Sequence, residues 1–321
     1  MQSNTATTTK ISTLSMSYDE WKAARLKGIG GSDVAAILGL TLQYKTPLDV
    51  FLEKTGQKPG PEENARMKAG KMLEDIIATW WAEENGYKIQ KDNKIRIHRS
   101  HPELIANIDR MIIGTSNGPG ILECKNTNSY AFKQWEDDGL PYNFYSQVQH
   151  YINVFGYDYG HVAVLIDGWD LRSIPVPRDQ EYIDMMTFQL LDFWHNHVLK
   201  NIPPEPATEA DFKTLWPSIK DNEKVVDVEG NEEIVGQVSQ LLDIKTQLKT
   251  LEEEKKNLEL QLKKMMKDST ILQSDGRTLI TWRQGKDRTV FDKKKLEEAH
   301  PDIFSQCCDT APGNRMFLLK K

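Results

Sequence analysis

Two β-prone runs separated by a turn-forming loop constrain the fold of this chain more than any other segment. The runs are IANIDRMII and GILECK, within 105–126, and the intervening loop is rich in Gly, Asn and Pro. This pattern predicts a hairpin or a loosely connected pair of strands. Because side chains alternate across a strand, Glu123 and Lys125 share one face. If the strands pair, Asp109 reaches the same face, and two acids and one amine converge at a sheet edge.

The set of Asp109, Glu123 and Lys125 is typical of a site for a divalent cation. Neighbouring carboxylates repel each other and are costly to bury unless a cation lies between them. Mg²⁺ prefers oxygen ligands and would meet that need. The Lys125 ammonium could stabilise charge on a phosphate and orient an attacking water. The alternative is an ordinary Glu–Lys pair on solvent-exposed strands, because so short a pattern is frequent by chance.

Glu74 and Gln147 lie on predicted helices and carry polar groups that need partners. Glu74 is part of GKMLEDIIATWWAEENG, on a largely apolar helix face. A metal or its bound water would satisfy this carboxylate, although an acid at the edge of an amphipathic face is an equally good interpretation. Gln147 precedes an apolar run that ends at Phe155, and its amide can donate and accept hydrogen bonds at once. We expect His150 to be a surface or capping residue and not a general base.

A glycine-rich segment, RLKGIGGSD, joins two predicted helices between Arg25 and Asp33. We expect the first helix to end near 27 and the second to begin near 34, with Ser32 or Asp33 as its cap. Glycine-rich backbone before a helix can offer N–H groups to an anion, which makes Gly30 and Gly31 candidates for binding a terminal phosphate. The segment is neither a P-loop nor a dinucleotide-binding motif. A tight helix–helix turn without a ligand explains the glycines equally well.

The chain is expected to contain a leader, a mixed domain, a linker and an accessory region. Residues 1–15 lack periodicity, which predicts a disordered leader. Helical and strand patterns alternate over 16–200, and the sequence NIPPEP that follows stops any helix. We assign 201–228 to a linker and 229–321 to a C-terminal region that holds a long coiled helix and a β-hairpin, the latter over 269–272 and 279–283.

The long helix, predicted over 231–266, carries the strongest periodicity in the sequence. Its core positions alternate by three and four residues, as in a coiled coil. They are Leu241, Ile244, Leu248, Leu251, Lys255, Leu258, Leu262 and Met265. About four heptads could pair within the chain or between chains. The stripe is narrow, which suits a single facing element, and we place no active-site residue on it.

Composition limits the classes of function and of compartment. The chain has 41 Lys and Arg against 47 Asp and Glu, a net charge of −6, and a pI near 5.7. This balance argues against a passive DNA-coating protein but not against a nuclease, whose metal site needs carboxylates. Three cysteines, two of them adjacent, cannot build a disulfide framework, so we expect a reducing compartment. No apolar run has the ~18–20 residues of a membrane span, so we expect a soluble protein.

In chain order these motifs resemble those of the YqaJ viral recombinase family, lambda-exonuclease-like phage nucleases of the PD-(D/E)XK superfamily. The motifs are a G-I-[GT]-[GA]-S-[DE] turn at 28–33, G-x-x-x-E at 70–74, the D…E-x-K core and Y-x-Q-x-Q at 145–149. The resemblance covers about 17–199, and the joint order is more specific than any single motif. It implies an α/β (α+β) fold with a restriction-endonuclease-like core, in which helices flank a central mixed sheet.

The resemblance also implies roles for the candidate residues. Asp109, Glu123 and the main-chain carbonyl of Cys124 would bind Mg²⁺, for which Mn²⁺ could substitute. In a two-metal site, Glu74 would approach the second position. The residues expected to act on the attacking water are Lys125 and Gln147. Those expected to hold the 5′ phosphate and the DNA are Arg25, Gly30, Gly31, Ser32 and Tyr145.

The implied function is a Mg²⁺-dependent exonuclease that degrades linear double-stranded DNA 5′→3′ and leaves 3′ single-stranded tails. Its partners would be double-stranded DNA ends and a phage single-strand-annealing protein, in the cytoplasm of a bacterial host, with no membrane partner. A homo-oligomer is expected, and a trimer is one option, although the C-terminal region has no counterpart in the compact phage exonuclease. Two alternatives remain. One is a non-catalytic scaffold that binds DNA ends, and the other is an endonuclease or single-strand nuclease on the same fold.

Overall fold

The computed structural model describes residues 9–60, 64–217, 224–309, 313 and 316–320, without the side chains of 136–138. The chain divides into two compact units, Met1–Pro217 and Ser218–Lys321. The elements described in the first unit are β1 (Thr9–Ser12), α1 (Tyr18–Leu26), α2 (Gly31–Ile37), α3 (Pro47–Lys54), α4 (Ala65–Asn85), β2 (Lys88–Gln90), β3 (Lys94–Ile97), β4 (Ile105–Ala106), β5 (Arg110–Ile113), β6 (Gly120–Thr127), α5 (Ser129–Asp138), α6 (Tyr142–Phe155), β7 (Tyr159–Ile166), β8 (Asp170–Pro177), α7 (Gln180–Phe193) and α8 (Glu209–Leu215).

A five-stranded mixed sheet forms the centre of the first unit. Its strand order is β2-β5-β6-β7-β8, with β6 parallel to β7 and every other neighbouring pair antiparallel. The strands β5 and β6 form the expected hairpin, in which Arg110 lies opposite Leu122. Helices cover both faces of the sheet, so the expected mixed α/β core with a flanked central sheet is confirmed.

The alternation of side chains along β6 divides the core into two layers. Leu122 packs with Ile77 and Trp81 of α4 on one face. Ile121 packs with Val148 of α6 on the other face. All five side chains are at most 1% exposed, and burying each one contributes roughly 1.5–3 kcal/mol. Odd-numbered residues of β6 therefore face α6, and even-numbered residues face α4.

Residues 9–12 form a strand, which corrects the expectation of a disordered leader over 1–15. β1 pairs antiparallel with β3, from Thr9 opposite Ile97 to Ser12 opposite Lys94, and β4 completes a three-stranded sheet. The sequence TKIS has β-branched residues at alternate positions, which favours a strand once an edge is available. That edge is distant in sequence, so local periodicity does not indicate it. Residues 1–8 lie outside the described residues.

The first unit extends beyond residue 200, where the sequence analysis ended the domain. The NIPPEP stretch is irregular, as its prolines require, but α8 follows it. Asp211 of this helix is 4% exposed and accepts a hydrogen bond from Thr46 Oγ1 at 2.9 Å. Part of the segment assigned to a linker therefore packs on the first unit. Residues 218–223 lie outside the described residues, and 224–228 form neither helix nor strand.

The second unit contains the expected long helix and hairpin. Its described elements are α9 (Glu232–Met266), β9 (Ile271–Ser274), β10 (Arg277–Thr281), α10 (Lys293–Ala299) and α11 (Pro301–Gln306). The strands β9 and β10 pair antiparallel, with Arg277 opposite Ser274. None of the helices described in either unit has the length and apolar character needed to cross a membrane.

Candidate active site

Polar side chains converge on the α6 side of β6. Glu123 and Lys125 are in step with the core residue Ile121, so β6 directs both toward α6, where Gln147 lies. Lys125 Nζ donates to Glu123 Oε1 at 2.6 Å and to Gln147 Oε1 at 3.1 Å. Gln147 Nε2 in turn donates to Glu123 Oε1 at 2.8 Å. The three side chains form a closed set of hydrogen bonds.

Asp109 reaches the same place from the residue that precedes β5. Its Oδ2 accepts a hydrogen bond from the main-chain N–H of Cys124 at 2.8 Å, so the backbone of β6 fixes its orientation. Burial, together with the carboxylates of Glu123 and Glu74, raises the pKa of Asp109 well above its ordinary 3.8. The site thus concentrates negative charge that a bound cation would balance.

One oxygen of this cluster, Glu123 Oε2, is buried and has no hydrogen-bond partner among the described residues. An unpaired buried acceptor costs about 1–3 kcal/mol, and more when it is charged. Asp109 and Glu123 offer the hard oxygen ligands that Mg²⁺ prefers, so the residues present fit such an ion. Within the described parts of the chain, no three His, Cys, Asp or Glu side chains are already gathered as a complete ligand set.

Glu74 lies at the site, but its charge is already balanced by Arg110, a residue that sequence reasoning missed. Arg110 Nη1 lies 2.7 Å from Glu74 Oε1, and the guanidinium also contacts Asp75 and the main-chain carbonyl of Asp109. Arg110 is only 5% exposed. Its position beside Asp109 in the sequence was the one available signal. The ion pair explains why Glu74 does not join Asp109 and Glu123 as a third free ligand.

Lys125 is held in its charged form. Burial alone lowers the pKa of a lysine, but the charge and hydrogen bond of Glu123, with the charge of Asp109, raise the pKa of Lys125 above its ordinary 10.5. Its ammonium also lies 4.9 Å from the ring centroid of Phe144. A fixed positive charge beside two carboxylates can stabilise negative charge that develops on a reacting phosphate.

A cavity of about 230 Å³ joins the carboxylates to the glycine-rich turn. The candidate residues that line it are Arg25, Gly30, Gly31, Ser32, Glu74, Asp109, Glu123 and Gln147. Arg25 Nη2 donates to Ser32 Oγ at 2.6 Å, and its guanidinium lies 4.9 Å from the ring centroid of Trp21. Stacking on an aromatic ring restrains a guanidinium. The lining of the cavity therefore combines carboxylates with an oriented cation and a hydroxyl.

The glycine-rich turn is organised by Asp33 and differs from the expected cap. Gly30 is the N-cap of α2, and Asp33 Oδ2 accepts a hydrogen bond from Gly30 N at 3.1 Å. Asp33 therefore caps α2, as one of the two expected residues, but from the third helical position and not from the N-cap, and the Gly30 N–H is not free for an anion. Asp33 is itself paired with Lys54 at 2.7 Å and Lys45 at 3.2 Å. Although burial acts in the opposite direction, these lysines hold the pKa of Asp33 well below its ordinary 3.8.

Gly31 packs against Tyr151, which the sequence analysis did not assign to the site. A Cβ atom at Gly31 would lie 2.4 Å from Tyr151 Cε1, so a larger residue does not fit without a shift. The Tyr151 hydroxyl accepts a hydrogen bond from Gln147 Nε2 at 2.9 Å. The i, i+4 spacing of Gln147 and Tyr151 places them on one face of α6, which was the available signal. The close packing on Gly31 could not be seen in the sequence.

Two further residues are placed differently from expectation. The Tyr145 hydroxyl donates a hydrogen bond to Asp179 Oδ2 at 2.9 Å, and Tyr145, like Lys125, is not among the residues that line the cavity. His150 was expected on the surface or at a helix cap, and this was wrong because α6 is a central helix whose sides are largely covered. His150 is 0% exposed, with Nε2 2.8 Å from the carbonyl oxygen of Ile105.

Solved structures that match part of the chain share little sequence identity with it. An alkaline exonuclease (LHK-Exo) from Laribacter hongkongensis is 20% identical, and the match covers 57% of this chain and 94% of that chain with a TM-score of 0.48. A phage related exonuclease from Haemophilus somnus 129PT is 12% identical, and the match covers 57% of this chain and 99% of that chain with a TM-score of 0.42.

Two sequence comparisons define the family. A model described as the YqaJ-like viral recombinase domain matches residues 20–158, a range that contains every candidate site residue from Arg25 to Tyr151. The uncharacterized protein YqaJ of Bacillus subtilis (strain 168) is 36% identical over 298 residues, which cover 91% of each chain. The resemblance carried by the motifs is confirmed, and the chain belongs to the YqaJ-like viral recombinase family.

Proposed function

We propose that the protein is a Mg²⁺-dependent exonuclease that digests linear double-stranded DNA 5′→3′ and leaves 3′ single-stranded tails for annealing recombination. The observation that carries the proposal is the convergence of Asp109, Glu123, Lys125 and Gln147 around a carboxylate oxygen without a partner. Membership of a viral recombinase family supports a role in recombination. The direction of digestion follows from the resemblance to lambda-exonuclease-like nucleases.

Asp109 and Glu123, with the main-chain carbonyl of Cys124, would hold the first Mg²⁺, and Mn²⁺ offers the same preference for oxygen ligands. When bound, the ion supplies Lewis-acid polarisation of the phosphate and a lower pKa for water. Glu74 Oε1 is paired with Arg110 Nη1, so Oε2 is the oxygen with which Glu74 would approach a second ion. Because the pKa of Asp109 is raised and a carboxyl group binds the ion in its ionised form, Mg²⁺ binding should weaken as the pH falls.

Lys125 and Gln147 would act on the phosphate and on the attacking water. The Lys125 ammonium is charged and lies beside both carboxylates, where it can stabilise charge that develops on the phosphate. Gln147 is oriented by Glu123 and Tyr151, so its amide is held in one position. Both N–H groups of the amide are thereby occupied, but Gln147 Oε1, which accepts from Lys125, has a second lone pair that can accept a hydrogen bond from a water and align it with the scissile bond.

Arg25 and Ser32, which line the same cavity, would hold the terminal 5′ phosphate, with the backbone of Gly31 beside them. A planar guanidinium and a hydroxyl are suited to bind phosphate oxygens. Charge-assisted hydrogen bonds are each worth about 1.5–3 kcal/mol. A 5′-phosphorylated duplex should therefore be digested roughly tenfold faster, or more, than a 5′-hydroxyl duplex. The change Arg25→Ala should remove most of that preference.

The metal site is tested by Glu123→Gln and Lys125→Ala, measured by Mg²⁺ titration calorimetry and by release of acid-soluble nucleotide. Glu123→Gln should abolish Mg²⁺ binding. Lys125→Ala should lower turnover by about 10²–10³ while Mg²⁺ affinity changes little. Lys133→Ala removes the same charge from an exposed position on α5 and serves as the control. Full activity of both site variants would refute the proposal.

The DNA substrate separates the alternatives. Loss of all product with EDTA, together with an intact covalently closed circle, is expected of this exonuclease. Cleavage of the circle would identify an endonuclease, and DNA binding without metal-dependent product would identify an end-binding scaffold. We further propose that the enzyme acts in the cytoplasm of a bacterial host as a homo-oligomer, with a phage single-strand-annealing protein as its partner.

A further inference from the structure

The apolar stripe of α9 is exposed along most of the helix. Within an uninterrupted helix of 35 residues, the exposed fractions are 38% for Leu241, 44% for Ile244, 56% for Leu248, 58% for Leu251 and 60% for Leu258. Contiguous exposed apolar surface of this kind marks an interaction site. The stripe is narrow and follows heptad spacing, so its natural partner is another helix of the same period.

We propose that α9 pairs with α9 of a second copy of the chain in antiparallel orientation. In the central register, Leu248 of each copy faces Leu258 of the other, and Ile244 faces Leu262. Leu241 then faces Met265, and Leu251 faces Lys255. Each of these facing pairs is apolar on both sides, except the pair of Leu251 and Lys255. There the methylene stem of Lys255 can cover Leu251 while its ammonium reaches solvent.

The charges that flank the stripe favour the antiparallel orientation, in which four attractions outweigh two repulsions, Glu252 beside Glu252 and Glu254 beside Glu254 across the two-fold axis. In the antiparallel pair, Lys245 of one copy lies beside Glu259 of the other, and Lys255 lies beside Glu252. Each of these attractions occurs twice by symmetry. Flanking opposite charges are the usual determinant of coiled-coil orientation. Within its own helix, Glu259 is 3.7 Å from Lys255 and 3.8 Å from Lys263, and such exposed pairs are weak enough to permit the contact with Lys245 of the second copy.

A parallel, in-register pair would be opposed by the same residues. Lys255 would face Lys255 of the second copy in a core layer, and Glu254 would lie beside Glu259 on each side. Like charges at these positions disfavour association. The antiparallel pair has two-fold symmetry, so α9 joins two copies and cannot by itself close a three-fold ring.

The test uses the full-length chain and follows its mass by sedimentation equilibrium over a range of concentrations. The wild type should associate to an even multiple of the 36.8 kDa chain. Lys245→Glu and Glu259→Lys should each weaken the association by about tenfold, because two attractions become repulsions. The double variant Lys245→Glu/Glu259→Lys should restore it. Lys249→Glu carries the same charge change on the outer face of α9 and should have no effect.

Three results would overturn the proposal. A wild type that stays monomeric at its highest attainable concentration would mean that another surface covers the stripe. Association that none of the charge variants alters would place the contact elsewhere in the chain. Stronger association of Glu259→Lys would identify a parallel pair, because the change removes the repulsion from Glu254. The inference does not depend on the proposed nuclease activity, and each of these variants should digest linear DNA as the wild type does.

Discussion

At the residue scale, Gly31 is a position where one added methyl group should damage both stability and activity. In Gly31→Ala the new Cβ would lie 2.4 Å from the ring of Tyr151. The hydroxyl of that tyrosine accepts the hydrogen bond that orients Gln147. Overpacking of this kind costs about 1–3 kcal/mol, which lowers the melting temperature by about 2–4 °C per kcal/mol in a domain of this size. Turnover should fall as well. Thermal melts and nucleotide release measure the two effects.

Gly70→Ala is the matched control, because its added Cβ has no described neighbour within 4 Å beyond the adjacent residues and the backbone of its own helix. Gly70 is inside α4, where alanine is favoured over glycine by about 1 kcal/mol. The control should therefore melt slightly higher than the wild type. Equal melting temperatures for Gly31→Ala and Gly70→Ala would show that Tyr151 moves aside at little cost.

His150 should make the stability of the protein depend on pH. Burial lowers the pKa of His150 to about 4 from its ordinary 6.5. Between these values the unfolded chain binds a proton that the folded chain does not, so stability falls as the pH decreases from 6.5 to 4. The loss should approach about 3 kcal/mol at the lower end.

Denaturant unfolding of wild type and His150→Gln across this pH range measures the effect of His150. The variant should show a smaller dependence on pH. Some dependence should persist, because burial also lowers the pKa of His98 and His161. Identical pH profiles for the two proteins would mean that His150 accepts a proton in the folded state.

Whether a site residue could be predicted depended on how far apart in the sequence its contacts lie. Asp109, Glu123 and Lys125 could be grouped from sequence because strand alternation and a hairpin are local patterns. Arg110 and Tyr151 could not, because their roles depend on a helix far away in the chain or on contact with a glycine. His150 was misplaced for the same reason, since its polarity suggested the surface while its position on a central helix buried it.

At the element scale, a buried ion cluster ties α2 to α3 and supports the wall of the cavity. Asp33 is 4% exposed and pairs with Lys54 of α3 and with Lys45 just before that helix. Lys54 also donates to the main-chain carbonyl of Arg25 at 3.0 Å. Asp33→Asn should cost about 3–5 kcal/mol, because it leaves the buried Lys54 without its counter-charge, whereas Lys45 keeps Glu53 at 2.7 Å.

Asp170→Asn removes the same charge from an exposed pair, since the side chain of its partner Arg172 is 56% exposed. It should cost no more than about 1 kcal/mol. The double variant Asp33→Asn/Lys54→Met should recover part of the loss, because it removes one uncompensated charge. Urea unfolding of the three variants measures these differences. Similar losses for Asp33→Asn and Asp170→Asn would mean that water reaches the cluster.

Elements were predictable where their own sequence carried the pattern. The hairpin of β5 and β6 was predicted from two β-prone runs around a turn-forming loop. The long helix α9 was predicted from the heptad spacing of its apolar residues. β1 was missed because it depends on an edge that β3 supplies, and α8 was missed because prolines before it suggested a linker. In both cases a contact distant in sequence determined the structure.

At the scale of the whole molecule, the first unit should fold and digest DNA without the second. A chain that ends at Pro217 retains every candidate site residue, together with the hydrogen bond of Asp211 to Thr46. A chain that ends at Pro206 loses that bond and the packing of α8 on Thr46. It should be less stable by about 1–3 kcal/mol. Cooperative melts and nuclease assays of both chains measure the difference.

A folded but inactive chain ending at Pro217 would place part of the active site in the second unit. Equal stability of the two shortened chains would mean that α8 contributes nothing to the first unit. Asp211→Ala in the longer of them removes the bond from Thr46 together with the bonds that Asp211 accepts from the N–H groups of Ala207 and Thr208, and it should reproduce most of the loss seen on cutting at Pro206.

The register of β5 against β6 determines which parts of this site can change in length. Arg110 lies opposite Leu122, and this pairing, not the number of residues in the loop at 114–119, sets the distance between Asp109 and Glu123. Insertions in that loop are therefore expected to be neutral during sequence divergence. A single deletion inside β6 would instead turn Glu123 and Lys125 toward α4. The number of residues between Asp109 and Glu123 can therefore change between relatives, whereas the spacing of Glu123 and Lys125 cannot.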